Sequence, residues 1–231
     1  MAPPVVLHAR GLLFDLDGVL ADSTDSVEAH WRRWATSHSI DPDTLLRVVH
    51  GRRAIDTIRE MTPQLDPEAE LAVLAAAEAA DTSGVVALPG AQALLARLPA
   101  HGWAIVTSGV RSVAEARLRA SNLPLPSVLV SAEAIERGKP DPEGYLVAAA
   151  RLGVPVAACV VIEDAPVGVA AAQAAGMACV ALTTTHSAPE LTGARLVVPS
   201  LDALQVSVAA NPDGTVHFTI AAKLGSMRAE A

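Results

Sequence analysis

Short apolar runs that alternate with Ala- and Leu-rich helical patterns constrain this chain more than any other feature. Gly11–Asp15, Trp103–Thr107, Ser127–Val130, Ala158–Glu163, Ala178–Leu182 and Arg195–Val198 read as strands. Gly90–Leu98, Ser112–Ser121, Glu143–Leu152 and Pro166–Ala175 read as the helices between them. Strand–helix alternation predicts an α/β fold: a Rossmann-like parallel sheet with helices on both faces. Gly102, Gly153 and Gly176 each follow a helical pattern, where a left-handed C-cap favours glycine.

Two stretches depart from this rhythm. Between Asp22 and about Gly84 there are helical signals and no strand. Val27, Trp31 and Trp34 fall on one helical face, and Asp66–Asp81 is rich in Ala, Leu and Glu. An all-helical insertion at this point would sit over the carboxyl end of the first strand, where open α/β sheets bind ligands. The expected division is therefore a core of residues 1–20 and 86–231 and a helical cap of residues 21–85. Near the end, Gln205–Ala210 and Thr215–Ala221 flank Asn211-Pro212-Asp213-Gly214, a strong turn signal. This predicts a C-terminal hairpin that extends or covers the sheet edge, followed by a frayed Lys223–Ala231.

Composition narrows the partners. With 231 residues, 51% of them hydrophobic, the chain can bury a sizeable core. Aromatics make up only 3%, so that core must be mostly Ala, Val and Leu. Net charge is −8 and no Lys/Arg cluster stands out, which argues against nucleic acid or an anionic membrane surface as partner. Cys159 and Cys179 lie in apolar runs outside any CxxC pattern and read as buried reduced thiols. Met1–Arg10 lacks a charged segment followed by a long apolar one, and no apolar stretch is long enough to span a bilayer. The expectation is a cytoplasmic protein, monomeric or weakly dimeric.

The chemistry sits where strands end. In Leu12-Leu13-Phe14-Asp15-Leu16-Asp17-Gly18-Val19-Leu20, an apolar run leads into two aspartates one residue apart. Period-2 geometry aims both at one volume. Paired carboxylates repel, so a cation sits between them or one retains a proton for acid–base work. The run ending in Thr107-Ser108-Gly109 offers hydroxyls and amides ahead of a helix, a place where anions bind. In Arg137-Gly138-Lys139-Pro140-Asp141-Pro142 a lysine is held between glycine and proline. Val160-Val161-Ile162-Glu163-Asp164 is again a buried-type strand ending in two acids.

These four segments, in this order, resemble the four motifs of the haloacid dehalogenase-like superfamily, whose commonest members are magnesium-dependent phosphatases. The likeness covers roughly Gly11 to Leu182. It implies Asp15 as nucleophile, forming an aspartyl-phosphate, and Asp17 as general acid/base. It implies Thr107 and the Ser108 backbone N–H as phosphate ligands, and Lys139 as the cation that neutralises nucleophile and phosphate. The Asp15 and Asp164 carboxylates and the Asp17 backbone carbonyl would hold Mg²⁺, with Glu163 as a further ligand or a support behind them. The insertion after the first motif is similar to that of the helical-cap branch. Within it, Asp22-Ser23-Thr24, His50-Gly51-Arg52 and Val106-Thr107-Ser108-Gly109 look most like the sugar-phosphate and glycerol-phosphate phosphatases.

The expected function is hydrolysis of a small phosphorylated metabolite, a sugar or polyol phosphate. Glu28, His30 and Arg52 of the cap, with Arg53 beside them, are expected to bind substrate; Arg52 could grip a carboxylate or second phosphate bidentately. A phosphomutase of the beta-phosphoglucomutase type uses the same core residues and differs in how the cap shields the intermediate. A non-catalytic binding protein on the same fold is the alternative of another class, and the presence of all four core groups weighs against it.

Overall fold

The computed structural model describes residues 5–211 and 213–223. The chain opens with β1 (Val6–Ala9) and β2 (Gly11–Phe14), then a two-residue β3 (Ala21–Asp22). Four helices follow: α1 (Thr24–Ser37), α2 (Pro42–Val49), α3 (Ala54–Met61) and α4 (Pro67–Ala80). The chain returns through β4 (Val86–Ala87) into α5 (Ala91–Leu95), β5 (Trp103–Val106), α6 (Arg111–Ala120) and β6 (Val128–Val130). Next come α7 (Glu143–Leu152), β7 (Cys159–Glu163), α8 (Pro166–Ala174), β8 (Ala178–Leu182) and β9 (Leu196–Val198). β10 (Leu204–Ala210) and β11 (Val216–Ala222) close the fold.

Six strands form the predicted parallel sheet, in the order β6-β5-β2-β7-β8-β9. β2, β5 and β7 are buried at every position, as strands covered on both faces should be. Alternation divides their side chains between two cores. Leu12 and Phe14 pack with residues of α5 and α6, while Leu13 packs with Tyr145 and Ala148 of α7 and Val169 of α8. Placing β2 between β5 and β7 brings the three strand ends that carry a motif side by side, while the Lys139 segment lies in the loop between β6 and α7 rather than at a strand end.

Local chemistry explains the helix ends. Asp66 caps α4 by accepting from the Glu68 and Ala69 amides at 3.0 and 3.4 Å, with Pro67 in the first turn. Gly153 and Gly176 take the left-handed conformation predicted for them. Gly102 also has positive φ, but α5 ends at Leu95, so this glycine turns the chain into β5 rather than capping a helix.

The helical stretch leaves and re-enters through one short antiparallel ribbon, β3 against β4. Its helices have an apolar centre of their own, with Trp31, Trp34, Leu45 and Ile58 among the buried residues. Trp31 and Trp34 meet edge to face at 5.5 Å.

The terminal hairpin forms, though it does not extend the parallel sheet. β11 pairs with β10 on one side and with β1, which the sequence analysis does not predict, on the other. Val216, Phe218 and Ile220 alternate inward and join the core around Leu12 and Phe14. The second sheet thus covers a face rather than an edge. Beyond Lys223, the tail expected to be frayed lies outside the described residues, as do the first four residues and Pro212 of the turn. Among the described residues, no helix is long and apolar enough to cross a membrane.

Candidate active site

The loop after β2 is a tight turn. Leu16 O accepts from the Leu20 and Ala21 amides at 2.9 Å, and Gly18 N–H donates to Ala21 O at 2.8 Å. Gly18 has φ +83, and a Cβ there would stand 2.1 Å from an Asp164 carboxylate oxygen. Only glycine lets the turn approach Asp164 this closely. Burial of Leu16, Val19 and Leu20 leaves Asp15 and Asp17 facing the cavity at the sheet's carboxyl end.

Asp15, Asp17, Thr107, Ser108, Lys139, Glu163 and Asp164 all line that one cavity. Lys139 Nζ donates to both Asp15 and Glu163, with its side chain 7% exposed. Its loop is braced: Glu143 accepts from the Glu136 and Arg137 amides at 2.9 and 3.0 Å, and Arg137 Nε donates to Asp141 at 2.7 Å. Glu163 is fully engaged. One oxygen accepts from Lys139 and from the Tyr145 hydroxyl at 2.6 Å, the other from the Asp164 and Ala165 amides at 2.9 and 3.2 Å. Asp164 accepts from the Thr185 hydroxyl. Thr107 Oγ1 accepts from the Gly109 amide at 3.0 Å, which leaves its proton available to an incoming anion.

Burial drives the Asp15 carboxyl up to about 7, against the pull of Lys139 and with added repulsion from Glu163 and Asp17. Asp164 is pushed well above the ordinary carboxylate range by burial first, then by Glu163 and Asp15. At Glu163 the Lys139 charge and its hydrogen bonds outweigh burial and hold the carboxyl low. Burial alone would lower Lys139; Asp15 and Glu163 override it and keep the ammonium above its usual range. Three carboxylates therefore face one ammonium, and oxygens of Asp15, Glu163 and Asp164 lie within 4.8 Å of one another. This all-oxygen set with excess negative charge fits a hard divalent cation. Glu163 has no oxygen to spare for it, so its place is behind the donors, holding Lys139.

The helical side is less convergent. Arg52 lines the cavity, yet its guanidinium donates to Glu60 at 2.8 Å. Glu28 and His30 are not on the cavity wall: Glu28 stands 3.7 Å from His50, and buried His30 donates from Nδ1 to Ser26 O at 2.7 Å. The spacing i, i+3, i+4 explains this, because Thr24, Val27 and Trp31 share the α1 face that meets the cavity. Arg53 is buried, paired bidentately with Asp56, and donates to Ile135 O at 2.9 Å. The Ser108 hydroxyl donates to Gly51 O at 2.8 Å, so the loop after α2 is tied to the ends of two core segments.

Sequence reasoning missed Arg117 and Glu78. Arg117, from α6, reaches Asp17 at 2.8 Å and Glu78 of α4 at 3.4 Å. Val113 and Arg117, like Leu74 and Glu78, are four apart. Each charged residue thus sits on its helix's buried face, a signal that could have singled it out.

Comparison with known proteins agrees with this geometry. A family model described as haloacid dehalogenase-like hydrolase matches residues 9–176. Hexitol phosphatase A of Escherichia coli is 43% identical over 215 residues, covering 91% of this chain and 99% of that protein. The 2-deoxyglucose-6-phosphate phosphatase 2 of Saccharomyces cerevisiae is 33% identical over 230 residues, covering 90% and 94%. Among solved structures, a hydrolase from Pseudomonas syringae superposes with TM-score 0.74 at 28% identity, covering 84% of this chain and 94% of that one. With the strand-end acids, the braced lysine and the inserted helices already in place, these matches show that the chain belongs to the haloacid dehalogenase-like hydrolases.

Proposed function

We propose that this chain is a magnesium-dependent phosphatase of small sugar or polyol phosphates and that it works through an aspartyl-phosphate on Asp15. The observation that carries the reading is the convergence of Asp15, Asp17, Thr107, Lys139 and Asp164 on one cavity wall. The residues around it are those that phosphoryl transfer needs: a nucleophile, cations for the phosphate oxygens and a proton donor. The names of the relatives, a hexitol phosphatase and a 2-deoxyglucose-6-phosphate phosphatase, support a polyol or sugar phosphate as the substrate.

An Asp15 carboxylate oxygen attacks phosphorus as the bond to the leaving oxygen breaks, and Asp17 delivers a proton to that oxygen, so an alcohol departs. Asp17 then takes a proton from water, whose oxygen attacks the aspartyl-phosphate. The bond to Asp15 breaks, phosphate is released, and both aspartates return to their starting states. Lys139 balances the Asp15 charge before attack and the phosphate charge after it. Thr107 and the Ser108 N–H orient the phosphate oxygens. The Asp15 and Asp164 carboxylates and the Asp17 carbonyl are the residues we assign to Mg²⁺, which when bound neutralises phosphate charge.

We assign the helices between β3 and β4 to a cap that supplies specificity, with Arg52 at its cavity face. Glu28 and His30 act at most through neighbours, Glu28 through His50. The test is phosphate release from a panel of hexitol, hexose, 2-deoxyhexose and glycerol phosphates, with Mg²⁺ and with EDTA. Magnesium-dependent release with a preferred sugar or polyol phosphate is the expected result. Isomerisation of a hexose 1-phosphate to the 6-phosphate without release would move the chain to the mutases.

A further inference from the structure

Asp17 has both carboxylate oxygens engaged. Oδ1 accepts from Ser23 Oγ at 2.6 Å, and Oδ2 meets Arg117 Nη1 at 2.8 Å. Both partners are linked to the helical insertion. Ser23 is the residue from which α1 starts. Arg117 belongs to the core helix α6, and its second nitrogen, Nη2, faces Glu78 of α4 at 3.4 Å.

The setting makes these contacts consequential. The Arg117 side chain is only 6% exposed and the Glu78 side chain 12%. A guanidinium stays charged even when buried, so it requires carboxylates to balance it. Here it has two, one on each side of the joint between core and insertion. Alongside, α4 and α6 pack through an apolar seam that includes Ala75 and Val113. Any change in how α4 sits on α6 therefore changes how the guanidinium is shared.

We propose that Arg117 is a positioning residue for Asp17, and that Glu78 makes this positioning depend on the seating of the helical insertion. With α4 seated, Glu78 and Asp17 hold the guanidinium from two directions, and Asp17 is kept at one place on the cavity wall. The arrangement ties the acid/base group to the element that covers the substrate. The proposal rests on the phosphatase reading, because it assigns Arg117 a task in that reaction.

The full-length, magnesium-loaded chain tests it. The variants are Arg117→Met, Arg117→Lys and Glu78→Gln, assayed on the sugar or polyol phosphate that the wild type prefers and on p-nitrophenyl phosphate. p-Nitrophenolate leaves without a proton, so the first turnover on that ester does not need a placed acid. Arg117→Met is expected to lower kcat on the alkyl phosphate by about 30-fold or more, with KM within about threefold. First-turnover release of p-nitrophenol should change by less than about fivefold. Arg117→Lys should recover part of the loss, and Glu78→Gln should lower kcat by roughly three- to tenfold at unchanged KM. Should Arg117→Met fail to fold, the Lys and Gln variants carry the same test.

A tenfold rise in KM at unchanged kcat would overturn the proposal and make Arg117 a substrate grip. Unchanged kcat with a lowered Tm, or equal losses on both leaving groups, would also overturn it. A wild type that releases phosphate from no ester would instead sink the phosphatase reading, so the two failures are separable.

Discussion

On the sheet side of the cavity, Lys139 is shared by two carboxylates and both oxygens of Glu163 are satisfied; on the helical side, Arg52 faces the same cavity while its guanidinium rests on half-exposed Glu60. Buried, fully bonded networks are rigid and lose much when one member is removed. Solvent-exposed ion pairs contribute little and rearrange cheaply. The sheet side is therefore built to hold one geometry. The helical side can exchange its internal partners for a ligand.

The largest effect should come from the sheet side. Asp15→Asn is nearly isosteric and should lower kcat by about 10³-fold or more while circular dichroism reports an intact fold. Substantial turnover in that variant would break the contrast at its centre. Removal of metal with EDTA should act almost as strongly, and readdition of Mg²⁺ should reverse it.

A subtler blow to the same side is Gly168→Ala. Its Cβ would lie 1.8 Å from Glu163 Oε1, so Glu163 must leave Lys139 or α8 must shift. The expected result is a loss in kcat of roughly 10-fold or more together with a lower Tm. An active, equally stable variant would show that the Glu163 platform is dispensable.

Metal and proton should compete on this side. The Asp15 carboxyl, raised to about 7, and the raised Asp164 favour their protonated forms in the metal-free protein. The Asp15 contribution to stability is thus present at low pH and is lost as pH climbs from the ordinary carboxylate range through about 7, and the Asp164 contribution is lost in the same direction. Mg²⁺ bound there reverses the loss, and at Asp15 it has no proton to displace once pH exceeds that value. The rise in Tm on adding Mg²⁺ should therefore be larger at pH 8 than at pH 5, as a thermal-shift series would show. An equal rise at both would separate the metal from these carboxylates.

The smallest effects belong to the helical side. Arg52→Ala should raise KM by about three- to tenfold with kcat little changed, and Glu28→Ala should alter either constant by less than about twofold. If Glu28→Ala instead lowered kcat strongly, its contact with His50 would carry chemistry and the contrast would lose its sharpness.

What the sequence shows follows the same line. Cys159–Glu163 and Glu143–Leu152 form almost where the apolar runs and helical patterns place them. A buried strand's pattern also fixes what lies at its end, so Asp15, Thr107 and Asp164 were readable together. The helical side is set by packing between helices, which local pattern does not fix. Glu28 and His30 look like neighbours of a ligand, yet the turn of α1 presents Val27 and Trp31 instead. Arg117 and Glu78 were hidden for a related reason: each lies within a helix and gains meaning only when α4 meets α6. β1, four residues long, has no partner visible in the sequence until β11 returns to it.

The most direct test of the central claim is to trap the phosphorylated enzyme. The Asp17→Asn variant, given p-nitrophenyl phosphate, should accept the phosphoryl group without an acid and then hydrolyse it slowly for want of a base. Borohydride reduction followed by peptide mass spectrometry should find homoserine at position 15 and an unchanged Asp164. Homoserine at another aspartate, or p-nitrophenol released with no reducible acyl phosphate on the protein, would contradict Asp15 as the nucleophile.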